Sequence, residues 1–197
     1  MSREQILRAL RQAPGPVVPL PPRDGPWTIY PDESEQFAVS LAAAGGRCVR
    51  VEARTLEAAI EEIATSVQAQ RIVSLVSHSP GVSSQTAALE ARPHDYDDVD
   101  LALCSGAFGV AENGAVWISD GGVPEQSILF LAQHLVLTLD PSQIVHNMHQ
   151  AYERLSFGER SFGTFIAGPS KTADIEQSLV IGAHGPRSLT VLLTTEV

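Results

Sequence analysis

Residues 162–194 read FGTFIAGPSKTADIEQSLVIGAHGPRSLTVLLT. The run 162–167 is rich in aromatic and β-branched residues and predicts a strand, and residues 168–172 (GPSKT) form a tight loop. Residues 173–181 then predict a helix closed by Gly182, and residues 188–194 a last apolar strand. Strand, helix and strand in succession are the unit from which parallel sheets are built.

The same alternation runs back toward the N-terminus. Residues 47–51 predict a strand, Thr55 caps a helix whose Leu56, Ile60, Ile63 and Val67 keep a helical stripe, and residues 71–77 predict another strand. A short helix around 86–91 and strands over 99–104 and 133–139 continue the pattern. Asp140, Pro141 and Gln143 supply an N-cap, a first-turn proline and a capping glutamine for a helix over 144–155. Two β-rich runs around Asn113-Gly114 predict a hairpin with a type I′ turn. The expected fold is therefore α/β, a three-layer α/β/α sandwich with a mostly parallel sheet and one inserted β-hairpin. Ahead of it, Ser2 and Gln5 make a capping box for a helix carrying Ile6, Leu7 and Leu10, and six prolines between Pro14 and Pro26 make an extended arm. Asp32 and Glu35 open a further helix over Phe37 and Leu41, ended by Gly45-Gly46. Residues 1–31 are expected as helix and arm, and residues 32–197 as the α/β domain.

The chain has 197 residues, 44% hydrophobic and 18% charged. That is enough apolar material for one core burying roughly 70% of the unfolded surface. Lysine and arginine total 13 against 23 acids, a net charge of −10. Grip on phosphate backbones or anionic lipid needs a basic surface, so neither nucleic acid nor membrane insertion is expected. The N-terminus mixes charged with apolar residues, and no apolar run approaches the roughly 18 residues of a spanning helix, so a cytoplasmic protein is expected. Cys48 and Cys104 are too few for a disulfide framework or a four-thiolate cluster, and each reads as a small buried strand residue.

Chemistry concentrates near the C-terminus. Gly168, Ser170, Lys171 and Thr172, ahead of a predicted helix, would aim free N–H groups and a dipole at one point, and Lys171 adds a charge, which suits a small anion. A second reading stays open there: Thr172 and Asp174 equally serve as an N-cap and a dipole partner. The Walker pattern is absent, because Ser170 rather than glycine precedes Lys171-Thr172. Asp174 and Glu176, two apart on a helix, face different sides and make no metal chelate. His146 and His149, three apart on the predicted 144–155 helix, lack a third ligand and are expected at the surface. Glu112, beside the hairpin turn, is a candidate nucleophile or general base, or else a solvated turn residue. His78 follows a strand and His184 sits in the loop GAHGP, both places where ligands gather or turns are made.

The run from Gly168 to Gln177 (GPSKTADIEQ), with GAHGP at 182–186 and GVAENG at 109–114, is similar to the lactate-utilisation (LUD) domain family in its small protein C type. The resemblance covers most of the chain and implies the ribose-phosphate-isomerase and CoA-transferase superfold, which agrees with the alternation above. It implies a part in oxidising lactate to pyruvate within a complex whose partner subunits carry iron–sulfur clusters. With no cysteine set and no Gly-x-Gly-x-x-Gly, redox chemistry would belong to those partners, leaving this chain assembly or small-anion binding and no cofactor of its own. The alternative is a stand-alone transferase-, ligase- or isomerase-like enzyme for a phosphorylated, acyl or folate-like small molecule, with Glu112 as nucleophile or base.

Overall fold

The computed structural model describes residues 2–12, 25–76, 85–86, 93–119, 126–155, 162–175 and 178–195. In chain order, α1 (Arg3–Gln12) and α2 (Glu33–Ala43) precede β1 (Arg47–Arg50) and α3 (Leu56–Ser66). Strands β2 (Ile72–Ser74), β3 (Gln85–Thr86), β4 (Leu101–Ser105), β5 (Phe108–Val110) and β6 (Ala115–Ser119) follow. Helix α4 (Ile128–Leu131) leads into β7 (His134–Leu139), the two-residue β8 (Ile144–Val145) and α5 (Met148–Arg154). Then come β9 (Gly163–Ile166), β10 (Lys171–Ile175), β11 (Ser178–Ile181) and β12 (Ser188–Leu193).

Six strands form one sheet in the order β1-β12-β7-β4-β2-β3, every neighbouring pair parallel. Because successive strand residues point to opposite faces, the sheet feeds two apolar clusters. Leu101, Leu103, Val136 and Leu192 pack against Leu56, Ile60 and Ile63 of α3, the stripe that the sequence predicts. Cys104, Leu135, Leu137 and Val191 pack on the other side against Phe37 and Leu41 of α2, Ile128 of α4 and Val116 of β6. The layered, mostly parallel α/β fold is thus present, and its second outer layer combines α2 and α4 with a four-stranded sheet of order β8-β5-β6-β9. Local caps match their sequence signals: Ser2 Oγ accepts from Gln5 N at 3.3 Å, and Asp32 Oδ1 from Glu35 N at 2.8 Å.

Several segments fold differently from their local pattern. Residues 144–155 are not one helix. Asp140 Oδ1 accepts from Ser142 N, but only a 3-10 turn forms over Pro141–Gln143. Ile144 and Val145 then pair in parallel with Gly109 and Val110 of β5, and the helix restarts at Met148 behind a new N-cap, Asn147. An open strand edge offers these two residues a hydrogen-bond ladder together with burial, which overrides helical periodicity. Residues 173–181 are not a helix either: β10 and β11 form an antiparallel pair with Lys171 opposite Ile181 and Thr172 opposite Val180. The hairpin at Asn113-Gly114 exists, but Val110 pairs with Ala115, so residues 111–114 make a four-residue loop rather than a type I′ turn. Gly114 has φ of 68°, whereas Asn113 keeps negative φ and accepts from Ala115 N through its side chain. Thr55 does not cap α3: its hydroxyl donates to Glu52 O. Of the short helix expected around 86–91, Thr86 lies in β3 and the rest is outside the described residues, as is the proline arm from 14 to 22.

Helix α2 is seated by backbone contacts. A Cβ on Gly114 would lie 2.3 Å from Leu41 N, and one on Gly168 (φ 71°) would lie 2.2 Å from Ala44 O. Ser40 Oγ donates to Ala111 O at 2.7 Å, tying the same helix to the β5–β6 loop. At the sheet's opposite margin, Asp100 Oδ2 accepts from Arg71 N and Gln70 N at 2.9 and 2.8 Å. Those two hydrogen bonds, Arg71 first, hold its carboxyl below the usual carboxylate value.

Two outcomes follow from these contacts. Gly114→Ala combines positive φ with a backbone clash and should cost about 2 kcal/mol or more in urea unfolding; an unchanged midpoint would show that α2 is not held there. A carboxylate with a depressed folded-state pKa stabilises fully above its unfolded value and loses that contribution as pH falls through the folded one. Urea midpoints of wild type and Asp100→Asn should therefore differ at neutral pH and converge in acid, and a gap that persists at low pH would contradict the assignment.

Candidate functional site

A cleft of about 300 Å³ opens where β9 and its following loop meet α4 and the turn before β12. Its floor is apolar, from Leu129, Leu135 and Leu189, and Ile166 and Pro169 form a wall, while the Phe165 ring on the other side of β9 packs with Phe108 and Trp117. Phe130, 46% exposed, stands at the rim. Ser170, Lys171 and His184 bring polar groups to the same cleft, so three of the residues singled out in the sequence converge with Gly168 on one concavity.

The way they converge differs from the sequence expectation. No helix follows Gly168, so no dipole points into the loop. Ser170 N donates to Pro186 O, and Ser170 O accepts from Gly182 N, each at 2.9 Å. These bonds pin the turn that carries His184, and they commit the Ser170 amide that an anion would have used. The Lys171 ammonium donates to Ala44 O, the carbonyl that caps the C-terminal end of α2, where a cation is favoured by the helix dipole. Thr172 is half-buried in β10, and Asp174 belongs to that strand rather than to a first helical turn. His78 and Glu176 lie outside the described residues.

Glu112 does not line the cleft. It is exposed, and its Oε2 accepts from Met148 N at 2.9 Å, satisfying an amide at the start of α5. His146 and His149 do not share a helix face. His146 precedes α5, is half-buried, takes Tyr30 N on Nδ1 at 3.1 Å and meets Glu33 Oε1 through Nε2 at 3.2 Å. His149 stacks on Trp27 with ring centroids 3.4 Å apart. With Asn147 Nδ2 donating to Thr28 O, these contacts strap residues 27–30 onto the start of α5. Sequence reading missed that strap, and also the floor leucines, because each partner lies far away along the chain. Among the described residues, no three His, Cys, Asp or Glu side chains group as metal ligands, and no helix is long and apolar enough to cross a membrane.

The sequence profile of the LUD domain matches residues 31–194. The chain belongs to the LUD domain family. Lactate utilization protein C of Geobacillus sp. (strain WCH70) is 36% identical over 109 residues, covering 52% of this chain and 45% of that protein. Its counterpart of the same name in Halalkalibacterium halodurans is 33% identical over 96 residues, covering 46% and 42%. The chain spans a little under half the length of these curated relatives. Among solved structures, a DUF162 family protein from Deinococcus radiodurans superposes with a TM-score of 0.54 at 15% identity, covering 82% of this chain and 96% of that one. At that identity the likeness speaks for the fold. The three motifs that carried the LUD resemblance are spatially divided: GPSKT and GAHGP meet at the cleft, while GVAENG seats α2 and caps α5.

For this LUD domain, the Glu112 contact yields a graded outcome. Glu112→Ala should destabilise by about 1 kcal/mol through loss of the α5 cap, and Glu112→Gln by less, since the amide oxygen still accepts. Thermal or urea unfolding of both variants checks the order, and equal stability of all three proteins would remove the capping role.

Proposed function

We propose that this LUD domain chain is a non-redox component of a lactate-utilisation system, working beside partner subunits that carry iron–sulfur clusters. The observation that carries the reading is the LUD match across 31–194 together with relatives named lactate utilization protein C. The chain's own donor set does not fit a cluster. It has two cysteines against the four thiolates a cluster takes, one on β1 and one on β4. Burial pushes the Cys48 thiol up to about 11 and the Cys104 thiol up to about 12, the reverse of what a thiolate ligand needs. The chain's own contribution is assembly together with binding of a small anionic molecule at the cleft beside Gly168, Ser170 and His184. A self-contained enzyme with Glu112 as nucleophile has less support, because that carboxylate caps α5 away from the cleft.

The reading is tested in cells. Deleting the coding sequence should abolish growth on lactate while leaving growth on pyruvate intact, and an affinity-tagged copy should restore growth and retain brown, iron-containing proteins. Unimpaired growth of the deletion strain on lactate would sink it.

A further inference from the structure

We propose that the cleft beside Gly168 takes an amphipathic monocarboxylate, its apolar body against Phe130 and Ile166 and its carboxylate on Ser170 and His184. This rests on the ligand-binding part of the function proposed above and names the class of ligand. Four observations support it. The leucines under the cleft are already buried, so the apolar surface left for a ligand to cover comes from Ile166 and the exposed Phe130, and such surface gains by being covered. Phe130 stands half-exposed at the rim, placed to close over an apolar body.

Polar groups line the same cleft. The main-chain N–H and C=O of Ser170 are committed to Pro186 and Gly182, but its hydroxyl makes no hydrogen bond among the described residues. The exposed His184 imidazole likewise makes no hydrogen bond or ion pair among the described residues. A hydroxyl and an imidazole beside an apolar floor donate to one carboxylate head and do not suit a polyanion such as a phosphate ester, for which the loop has no uncommitted Ser170 amide. Lys171 adds charge to the same cleft: its ammonium rests on a carbonyl and has no carboxylate partner among the described residues. In a chain of net charge −10, a local positive centre favours an anion at this mouth. The last observation is size. A cavity of about 300 Å³ is at the lower end of small-molecule sites, and an acid as small as lactate would fill only part of it.

Isothermal titration of the purified chain with octanoate, octanol, octylamine and lactate tests the class. Octanoate should bind saturably and about tenfold or more tighter than octanol or lactate, with octylamine the weakest. His184→Ala should weaken octanoate about tenfold, and Phe130→Ala several-fold; both side chains are exposed, so circular dichroism should show an unchanged fold. Octanol matching octanoate, lactate matching octanoate, no saturable octanoate binding at millimolar concentration, or wild-type affinity in His184→Ala would each overturn the proposal. If octanoate fails while growth on lactate still requires the chain, only the ligand class falls. If octanoate binds as expected while the deletion strain grows normally on lactate, the ligand class stands and the lactate reading falls.

Discussion

Helix α2 reaches the parallel sheet only because glycine lets backbone meet backbone at two places. Gly114 lies under Leu41 and Gly168 under Ala44, each so close that a methyl group would overlap main-chain atoms. Phe37 and Leu41, both fully buried, depend on this approach. Side chains of that size contribute roughly 1.5–3 kcal/mol each when removed from water, so a displacement of the helix by one methyl group would expose a large share of the core on that side. The two loops are far apart in sequence, and α2 is the body that both are shaped to receive.

That constraint also shapes the cleft. The loop around Gly168 is held against the end of α2 by the Lys171 ammonium on Ala44 O and against the turn before β12 by the Ser170 and Gly182 hydrogen bonds. One short segment therefore clamps the helix, forms part of the cleft wall and fixes the position of His184. Toward the turn before β12 main-chain groups do the holding, and toward α2 a side chain does. Glu112 stands in a parallel relation to the other glycine loop, where its carboxylate serves the first amide of α5. The motifs are dense in polar and glycine residues because they join elements as well as facing solvent.

Legibility varied with how local the physics was. The caps at Ser2 and Asp32 and the α3 stripe were readable because each depends on residues within a turn or two. The helices expected over 144–155 and 173–181 were misjudged because both segments contain β-branched residues that also suit a strand, and the deciding partner lay elsewhere: the edge of β5 for Ile144 and Val145, and each other for β10 and β11. His146 read as a surface histidine since nothing nearby in sequence announces that Tyr30 and Glu33 will bracket it.

By itself, the order of residues determined the alternation that yields a parallel α/β sheet, the acidic balance, the shortage of thiolates and the motifs of the LUD family. Those depend on composition and on periodicities spanning a few residues, where the covalent chain already brings the interacting groups together. Only the tertiary structure decided that GPSKT opens a hairpin, that its Ser170 amide is internally bonded, and that Leu129, Leu135 and Leu189 share a cleft with His184. Each of those facts rests on contacts between segments brought together by folding, and a backbone group's partner across such a gap is set by packing rather than by neighbours along the chain.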